Sequence, residues 1–381
     1  MFCFLANLFR KKYNGSNVIQ IIKENILHNY NLLQSQQPQA EIFPVLKSNA
    51  YGHGIKEICS ILKETNAKMI AVNSLEETLK VYRFSKKKVL VISELSHHDY
   101  RYCNLKRTEF YVYNLETLKF LTKFCKQVKI HLFVNTGMNR EGISDLKLFL
   151  EKSQKYLKKI KIVGLCSQLA STEENSALHK KQEAKFFECL EILNEKKIYP
   201  TWLHLGNSAG TFSLKDKRFT AFRTGISFYG YNVFSKNAQE YEHSQKLKPA
   251  LKIKSKITAM QNLQKGDSVA GHETFKVKKD TTIATIPFGY YEGLDCRLSN
   301  QGILSLKNKK ESFYASIAGH IDMNISCLNC ENNHVNLGDE VEIFSELIDK
   351  KNSIQNFANI MKITPYEILV KLAPHIYREI I

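Results

Sequence analysis

The sequence lacks any apolar run long enough to cross a membrane as a helix, which requires about 20 residues. Its apolar N-terminal stretch, residues 1–9, is short and is followed by three basic residues at 10–12. A secretory signal peptide has these parts in the opposite order. We therefore interpret residues 1–15 as an N-terminal extension with no inferred function, and we expect no membrane partner.

Acidic residues are scarce relative to basic ones, with 37 Asp and Glu against 55 Lys and Arg and a formal charge of +18. Such a charge raises the question of nucleic acid as a partner. The lysines are scattered, however, and form a run only at residues 86–88. We predict a basic, solvated surface without a nucleic-acid site. The positive field would favour an anionic cofactor and a substrate carboxylate.

A second pair of cysteines with metal-ligand spacing is also missing. Cys327 and Cys330 have the spacing of half a zinc site, with His334 nearby, but no partner pair completes it. We therefore predict no metal site. The nine cysteines are spread widely, several in apolar patterns, which suits a reducing, cytoplasmic compartment.

From residue 42 to about 230, short apolar runs alternate with amphipathic helical patterns. The predicted strands are residues 42–47, 68–72, 88–92, 109–113, 128–134, 161–167, 201–204 and 219–223. Eight such strands indicate an α/β fold with a parallel (β/α)8 barrel of the TIM type, although a doubly wound open sheet would give a similar pattern.

After residue 240 the apolar period changes to two, which is typical of half-exposed strands. We predict a barrel at residues 16–240 and a mostly β C-terminal domain at 241–381. Residues 19–22 precede the barrel and could return to pair with the second domain.

The sequence is organised around residues 47–54, where a buried strand ends in Lys47 and a glycine-broken turn follows. Burial at a strand end would lower the pKa of a lysine, and a neutral amine is what Schiff-base chemistry needs. The segment, Lys-Ser-Asn-Ala-Tyr-Gly-His-Gly, resembles the cofactor-lysine motif of the alanine racemase family. The resemblance implies that Lys47 carries pyridoxal 5'-phosphate (PLP) and that Tyr51 binds its phosphate.

Further segments resemble the same family, in the order expected for it. Residues 204–210 match its His-x-x-Asn-Ser-Ala-Gly motif, residues 223–230 its Arg-x-Gly-Ile-x-x-Tyr-Gly motif and residues 287–293 its Pro-x-Gly-Tyr-x-Glu-Gly motif. Residues 319–324 and 365–367 also correspond to family segments. The resemblance spans residues 18–377, nearly the whole chain.

The resemblance implies a role for each matching residue. Ser208, Gly225 and Ile226 would hold the phosphate, and His204 would orient Arg223 against the pyridine nitrogen. Because arginine does not give up its proton, the ring nitrogen would stay unprotonated, which favours racemisation over transamination.

The remaining implied roles concern the amino acid. Lys47 would act as one catalytic base and Tyr290, from the partner subunit of a homodimer, as the other. Arg140 and the backbone of Met323 would bind the carboxylate of alanine. The implied role is a cytoplasmic supply of D-alanine for peptidoglycan.

The sequence departs from the family pattern mainly around the substrate. Phe133 and Asn135 replace a lysine and an aspartate, Gln168 a histidine and Asn324 an aspartate, and Pro374 stands where a late tyrosine is common. In many relatives that lysine is carbamylated and steadies the arginine at the position of Arg140. We therefore expect Arg140 to be positioned by an amide of Asn135 or Gln168, or by a bound anion such as chloride.

Three other functions compete with alanine racemisation. The first is a racemase of the same fold with broader amino-acid specificity. The second is a barrel-type PLP decarboxylase, which places a carboxylate against the pyridine nitrogen; Arg223 argues against it. The third is a non-enzymatic PLP carrier, which resembles the barrel alone; the β domain with Tyr290 argues against that.

Overall fold

The computed structural model describes residues 15–124, 127–170, 177–308, 310–331 and 333–381. The predicted extension at residues 1–15 thus lies almost wholly outside the described residues. The chain divides into two units, Glu24–Lys248 and Pro249–Ile381, and the described residues 15–23 belong to the second. The first strand, β1 (Val18–Ile21), is therefore part of the C-terminal unit.

The first unit is built on eight parallel strands that alternate with helices. The strands are β2 (Glu41–Pro44), β3 (Met69–Val72), β4 (Lys88–Val91), β5 (Thr108–Val112), β6 (Val128–Phe133), β7 (Ile160–Cys166), β8 (Trp202–His204) and β9 (Ala221–Thr224). Strands β3 to β8 form one continuous parallel sheet, and β2 pairs with β9.

The two sheets join into a closed ring. On one side Val45, just after β2, forms a parallel bridge with Ala71 of β3. On the other side the backbone N–H groups of Thr220 and Arg223 donate to Leu203 and Gly206, each at 3.0 Å, and so connect β9 with β8. The predicted (β/α)8 barrel is confirmed, and the closure excludes an open doubly wound sheet.

One helix precedes the first barrel strand and the others follow later strands, as the alternating patterns predict. They are α1 (Lys23–Gln36), α2 (Ile55–Ile61), α3 (Leu75–Phe84), α4 (Leu115–Phe124), α5 (Leu146–Leu157), α6 (Ala177–Glu195), α7 (Gly210–Ser213) and α8 (Tyr241–Ser244). Helix α3 shows how local sequence sets a boundary, because the Ser74 hydroxyl accepts a hydrogen bond from the Glu77 N–H at 3.3 Å.

The C-terminal unit is dominated by one sheet of nine strands in the order β11-β14-β17-β16-β15-β18-β10-β1-β19. The further elements of this unit are β10 (Leu251–Lys256), β11 (Ala259–Leu263), β12 (Ser268–Val269), β13 (Phe275–Lys276), β14 (Thr281–Ile286), β15 (Ile303–Lys307), β16 (Ser312–Ile317), β17 (Ser326–Asn329), β18 (Glu340–Phe344), α9 (Ile354–Met361), α10 (Pro365–Val370) and β19 (Tyr377–Ile380).

Strand β1 completes this sheet rather than the barrel. It pairs antiparallel with β10 and parallel with β19, and Ile19 and Ile21 are fully buried. The predicted pairing of residues 19–22 with the second domain is thus confirmed for β1. The first unit ends at Lys248, so the polar residues 235–245 belong to it.

Across the described ranges, no helix combines the length and apolar character that a membrane span requires.

Candidate active site

A cavity of about 340 Å³ opens at the carboxyl ends of the barrel strands. Its lining residues come from β5, β6 and β9 and from the loops after β2 to β7: Lys47, Asn73, Ile92, Ser93, Tyr111, Tyr113, Phe133, Arg140, Glu141, Gln168 and Arg223. Barrel enzymes carry their active sites at this end, and the volume suits a small ligand. Lys47, Arg140 and Arg223, three of the predicted site residues, thus share one cavity.

Lys47 begins a short left-handed turn, Lys47–Tyr51, which is unusual backbone for residues other than glycine. Ser48, Asn49, Ala50 and Tyr51 all have φ between 51° and 56°. Each such residue costs about 1–2 kcal/mol relative to a right-handed conformation. Strain of this kind persists only where its surroundings fix it, and it concentrates at functional sites.

Glu77, at the start of α3, is one of the groups that fixes this turn. Its carboxylate accepts hydrogen bonds from the backbone N–H of Ser48 at 2.6 Å and of Asn73 at 2.8 Å. A single side chain therefore ties the strained turn to the loop after β3. Glu77, whose N–H bonds the Ser74 hydroxyl at the start of α3, therefore also supports the candidate site.

The Lys47 amine lies in an environment that favours its neutral form. Burial lowers the pKa of Lys47 below its usual 10.5, and the positive charges of Arg140 and Arg223 lower it further. Glu77 and Glu141 oppose this shift without reversing it. A larger neutral fraction makes the amine a better nucleophile and a better base.

Tyr51, Ser208 and Gly225 converge beside the turn. The Ser208 hydroxyl accepts hydrogen bonds from the backbone N–H of Gly225 at 3.1 Å and of Ser227 at 3.3 Å. A Cβ at Gly225 would lie 2.3 Å from the Tyr51 hydroxyl oxygen, so only glycine allows this approach. Ile226 is buried in the same segment. Two hydroxyls next to backbone donors suit the binding of an anion.

Arg223 is held from several sides at the end of β9 and is only 4% exposed. Its Nη1 donates to the Nδ1 atom and the carbonyl of His204, at 2.6 and 2.7 Å. Its Nη2 donates to the Ser167 carbonyl at 2.6 Å and to the Gln168 Oε1 at 3.1 Å. Both terminal nitrogens are thereby engaged, and among the described residues the Nε–H has no partner.

Arg140 is positioned differently from our expectation. Its Nε and Nη2 donate to the two carboxylate oxygens of Glu141, both at 2.5 Å. Asn135 instead accepts from the backbone N–H groups of Gly137 and Asn139, and Gln168 accepts from Arg223. The expectation that a neighbouring amide positions Arg140 is therefore wrong. The acceptor is Glu141, the next residue in the chain, which the family motifs do not include.

Phe133 fills space where the family pattern has a lysine. Its ring packs against Tyr111 at a centroid distance of 5.1 Å and against Tyr113 at 6.1 Å. The side chain is nearly fully buried and brings no polar atom to the cavity that it lines.

Tyr290 and Met323, the remaining predicted site residues, belong to the C-terminal unit. The Tyr290 N–H donates to the Asp322 carbonyl at 3.1 Å, and the Tyr291 N–H to the Met323 carbonyl at 2.9 Å. A Cβ at Gly289 would lie 2.1 Å from the Asp322 carbonyl oxygen, so the two segments run in close contact. Both side chains are open, with Tyr290 44% and Met323 56% exposed.

Asn324, another departure from the family pattern, supports this pair of segments. The buried Glu292 carboxylate accepts from the Asn324 side-chain amide at 2.8 Å and from the Gly289 N–H at 2.9 Å. An amide donor suits this position because a second carboxylate would repel Glu292. The departure is therefore compatible with the local structure.

Comparison with protein-family models assigns both units. Residues 21–233 match the model "Alanine racemase, N-terminal domain", and residues 250–380 match "Alanine racemase, C-terminal domain". The chain belongs to the alanine racemase family. Members of this family are isomerases, so the chain is an enzyme of that class.

Individual alanine racemases match over almost the full chain. The enzyme of Borreliella burgdorferi strain ZS7 is 30% identical, with 97% of this chain and 98% of that protein covered. The alanine racemase of Bacillus anthracis, solved with bound L-Ala-P, is 25% identical with a TM-score of 0.87, covering 97% and 96%. That of Bartonella henselae, solved with covalently bound pyridoxal phosphate, is 23% identical with a TM-score of 0.82, covering 96% and 100%.

Two residues that support the site in this alanine racemase family member, Glu77 and Glu141, were not predicted from its motifs. Glu109 and His131, which are hydrogen-bonded in series behind His204, were not predicted either. A signal was present for the last two, since Glu109 begins one run predicted to be a buried strand and His131 interrupts another. A charged or titratable residue inside such a strand is rarely left without a partner.

No group of three or more His, Cys, Asp or Glu residues with the arrangement of a metal site occurs in the part of the chain that the structure describes.

Proposed function

We propose that this chain interconverts L-alanine and D-alanine with PLP bound to Lys47, supplying D-alanine for peptidoglycan in the cytoplasm. The observation that carries the proposal is the single cavity in which the Lys47 amine and the Arg223 guanidinium meet. The family match over both units supports the same reaction.

The residues present fit the cofactor. Tyr51, Ser208 and the backbone at Gly225 and Ile226 form a cradle of donors that suits a phosphate, and a Cβ at Gly225 would obstruct it. Lys47 offers an amine with a lowered pKa. Arg223 retains an N–H for the pyridine nitrogen after its other donors are engaged.

When bound, PLP supplies an electron-withdrawing ring that acidifies the Cα proton of an attached amino acid. Arg223 would donate a hydrogen bond to the ring nitrogen without giving up its proton, because arginine stays charged in proteins. The ring therefore withdraws electrons less strongly than a protonated ring. This moderation favours return of the proton to Cα and disfavours transamination.

Racemisation requires a base on each side of Cα. Lys47 takes or returns the proton on one side, and Tyr290 from the partner subunit of a homodimer does so on the other. The exposed Tyr290, on a turn pinned to residues 322–323, supports a role in a second copy of the chain. Arg140 and the backbone N–H of Met323 would bind the substrate carboxylate.

A racemase of broader specificity is the second candidate. It is favoured by the changed substrate side, where Arg140 pairs with Glu141 and Phe133 replaces a polar residue. A decarboxylase is disfavoured by Arg223, and a PLP carrier by the C-terminal racemase domain at residues 250–380.

The test is chiral analysis of L-alanine, L-serine and L-lysine after incubation with the purified PLP-loaded chain. We expect D-alanine as the main product with the wild type and none with Lys47→Ala. Faster conversion of L-serine or L-lysine would show that alanine is not the preferred substrate. Loss of carbon dioxide without a D-amino acid would overturn racemisation itself.

Tyr290 and Tyr291 provide a matched pair for the second base. Tyr290→Phe should lower kcat by about 10²–10⁴-fold, the usual contribution of a positioned acid–base group. Tyr291→Phe, which removes the neighbouring hydroxyl, should change it little. Equal and mild losses in both variants would reject Tyr290 as a base.

A further inference from the structure

A buried chain of hydrogen bonds extends behind Arg223 into the barrel. His204 Nε2 lies 2.7 Å from His131 Nδ1, and His131 Nε2 lies 2.9 Å from Glu109 Oε2. These three residues are 0–2% exposed. Lys88 approaches the other oxygen of Glu109 at 3.8 Å, from the partly exposed end.

The barrel is shaped to admit the His131 ring. Strand β7 carries Gly164 at this level, and a Cβ there would lie 2.1 Å from His131 Nδ1. The register between β6 and β7 also shifts between Ile130 and His131. Irregularities of this kind re-aim side chains within a sheet. The ring position is therefore specified by backbone as well as by its polar partners.

Only one arrangement of protons satisfies every hydrogen bond from Arg223 to Glu109. Arginine has no acceptor, so Nδ1 of His204 must be unprotonated to receive the Arg223 Nη1–H. A neutral His204 then carries its proton on Nε2 and donates to Nδ1 of His131. His131 in turn carries its proton on Nε2 and donates to the Glu109 carboxylate.

Both histidines are accordingly neutral. Burial lowers the pKa of His131 and, together with the charge of Arg223, lowers the pKa of His204 well below 6.5. Burial alone would raise the pKa of Glu109, but the interactions with His131, Lys88 and Lys129 together outweigh it, so the pKa is lowered. This series of hydrogen bonds therefore has a cation at Arg223 and an anion at Glu109, joined by two neutral histidine rings.

We propose that Glu109 and His131 are positioning residues that fix His204 as an acceptor and thereby hold Arg223 with its Nε–H directed to the cofactor ring. This inference rests on the proposed function for the role of Arg223, but the proton arrangement itself does not. Glu109 also balances the buried charge of Arg223, which a low-dielectric interior would otherwise destabilise.

The direct test is nitrogen NMR of the full-length protein labelled with ¹⁵N-histidine. Spectra of His131→Gln and His204→Gln variants would assign the two rings. We expect both rings to be protonated on Nε2 alone, unchanged from pH 8 to below pH 6. A proton on Nδ1 of either ring, or a charged ring at pH 7, would overturn the inference whether or not the chain racemises alanine.

Two substitutions at Glu109 then separate positioning from mere packing. Glu109→Gln keeps an oxygen that can accept from His131, so the proton arrangement should survive and kcat should fall only a few-fold. Glu109→Leu removes the acceptor for the His131 Nε2–H, so that proton is no longer held on Nε2. A proton on His131 Nδ1 would then face the Nε2–H of His204, and the hydrogen bond between the two rings would be lost. We expect kcat to fall about 10- to 100-fold, as for loss of a hydrogen bond to a charged group, with KM for alanine little changed.

Val89→Ala in β4 is the matched control, because Val89 is fully buried in the neighbouring strand and lies outside the chain of hydrogen bonds. It should lower the free energy of unfolding without changing the histidine spectra or the pH dependence of the bound cofactor's absorbance. Glu109→Leu should change both. If Glu109→Leu leaves both unchanged, Glu109 is only structural and the inference fails.

Discussion

The cavity contains two arginines that are held in opposite ways. Arg223 is 4% exposed and donates to a histidine ring, a glutamine oxygen and several backbone carbonyls from different strands. The Arg140 side chain is 59% exposed and donates to Glu141 alone among the described residues, through a pair of adjacent side chains. The first is fixed by the barrel and the second by its own loop.

Under the proposed function, this difference separates the arginine that would act on the cofactor from the arginine that would bind the substrate. A guanidinium locked in a buried network can set the electronic character of a cofactor reproducibly, since little reorganisation is needed when charge develops. An arginine held by an exposed pair can adjust to its ligand, because such pairs contribute only about 0.2–1 kcal/mol. Two residues that depart from the family pattern, Phe133 and Asn135, belong to β6 and to the loop that carries Arg140, whereas a third, Gln168, accepts from Arg223.

The largest effect is expected when the buried arginine is replaced. Arg223→Glu removes every donor and places a carboxylate toward the ring nitrogen. We expect racemisation to fall at least 100-fold, the scale for loss of one preorganised donor. Conversion of the cofactor to its pyridoxamine form with L-alanine should rise, because a carboxylate favours a protonated ring nitrogen.

The measurement is absorbance of the bound cofactor during incubation with L-alanine, with Arg218→Glu as the control. Arg218 pairs with Asp216 outside the cavity. No gain in the pyridoxamine form over wild type would contradict the role given to Arg223.

A smaller effect is expected from closing the cradle. In Gly225→Ala the new methyl group would meet the Tyr51 hydroxyl, which must then move. We expect affinity for PLP to fall about 10- to 100-fold, as for loss of one or two hydrogen bonds to a charged group. Gly271→Ala is the control, because a Cβ there meets no atom within 4 Å. Equal PLP affinity in both variants, measured by fluorescence titration, would remove Gly225 from the site.

The candidate residues of the buried side could be proposed from the sequence because they lie in short, contiguous motifs. Lys47 and Tyr51 are four residues apart, and Arg223 and Gly225 are two apart. Glu109 and His131 were missed because they reach Arg223 only through the closure of the barrel, which brings β5, β6 and β8 together. Strand β1 shows a related limit, because its pairing with the second domain was predicted but nothing near residues 18–21 specifies β10 and β19 as the neighbours.

Loss of the ion pair that holds the exposed Arg140 should have a modest effect on substrate binding. Glu141→Gln removes the charge that orients Arg140, and we expect KM for alanine to rise about two- to fivefold with kcat nearly unchanged. Glu151→Gln, an exposed change on α5, should alter neither constant. A fall in KM would mean that Glu141 blocks Arg140 instead of positioning it.

Bicarbonate should have no effect on activity, because Phe133 has no amine to carbamylate. We also expect high salt to raise KM for alanine, since an exposed ion pair is screened. Activation by bicarbonate would contradict the account of Arg140.

The smallest effect is the pH dependence of stability contributed by the buried rings. Arg223, Glu109 and Tyr111 contact these rings, and Lys88 lies beyond Glu109. Both histidine pKa values are lowered on folding, so below about pH 6.5 the unfolded chain binds protons that the folded chain does not.

These groups therefore leave the free energy of unfolding unchanged above pH 7 and lower it as pH falls from 6.5 toward their folded pKa values. Urea unfolding at several pH values should show a shallower decline in His131→Gln than in wild type. A steeper decline would contradict neutral rings in the folded state.

The proposal that Lys47 carries PLP is tested most directly by identifying the lysine that binds the cofactor. The PLP-loaded protein would be reduced with borohydride, digested, and its pyridoxyl-bearing peptide sequenced by mass spectrometry. The account predicts a label on Lys47 alone, and no label and no cofactor absorbance in Lys47→Ala. Normal cofactor absorbance with the label on another lysine would contradict it.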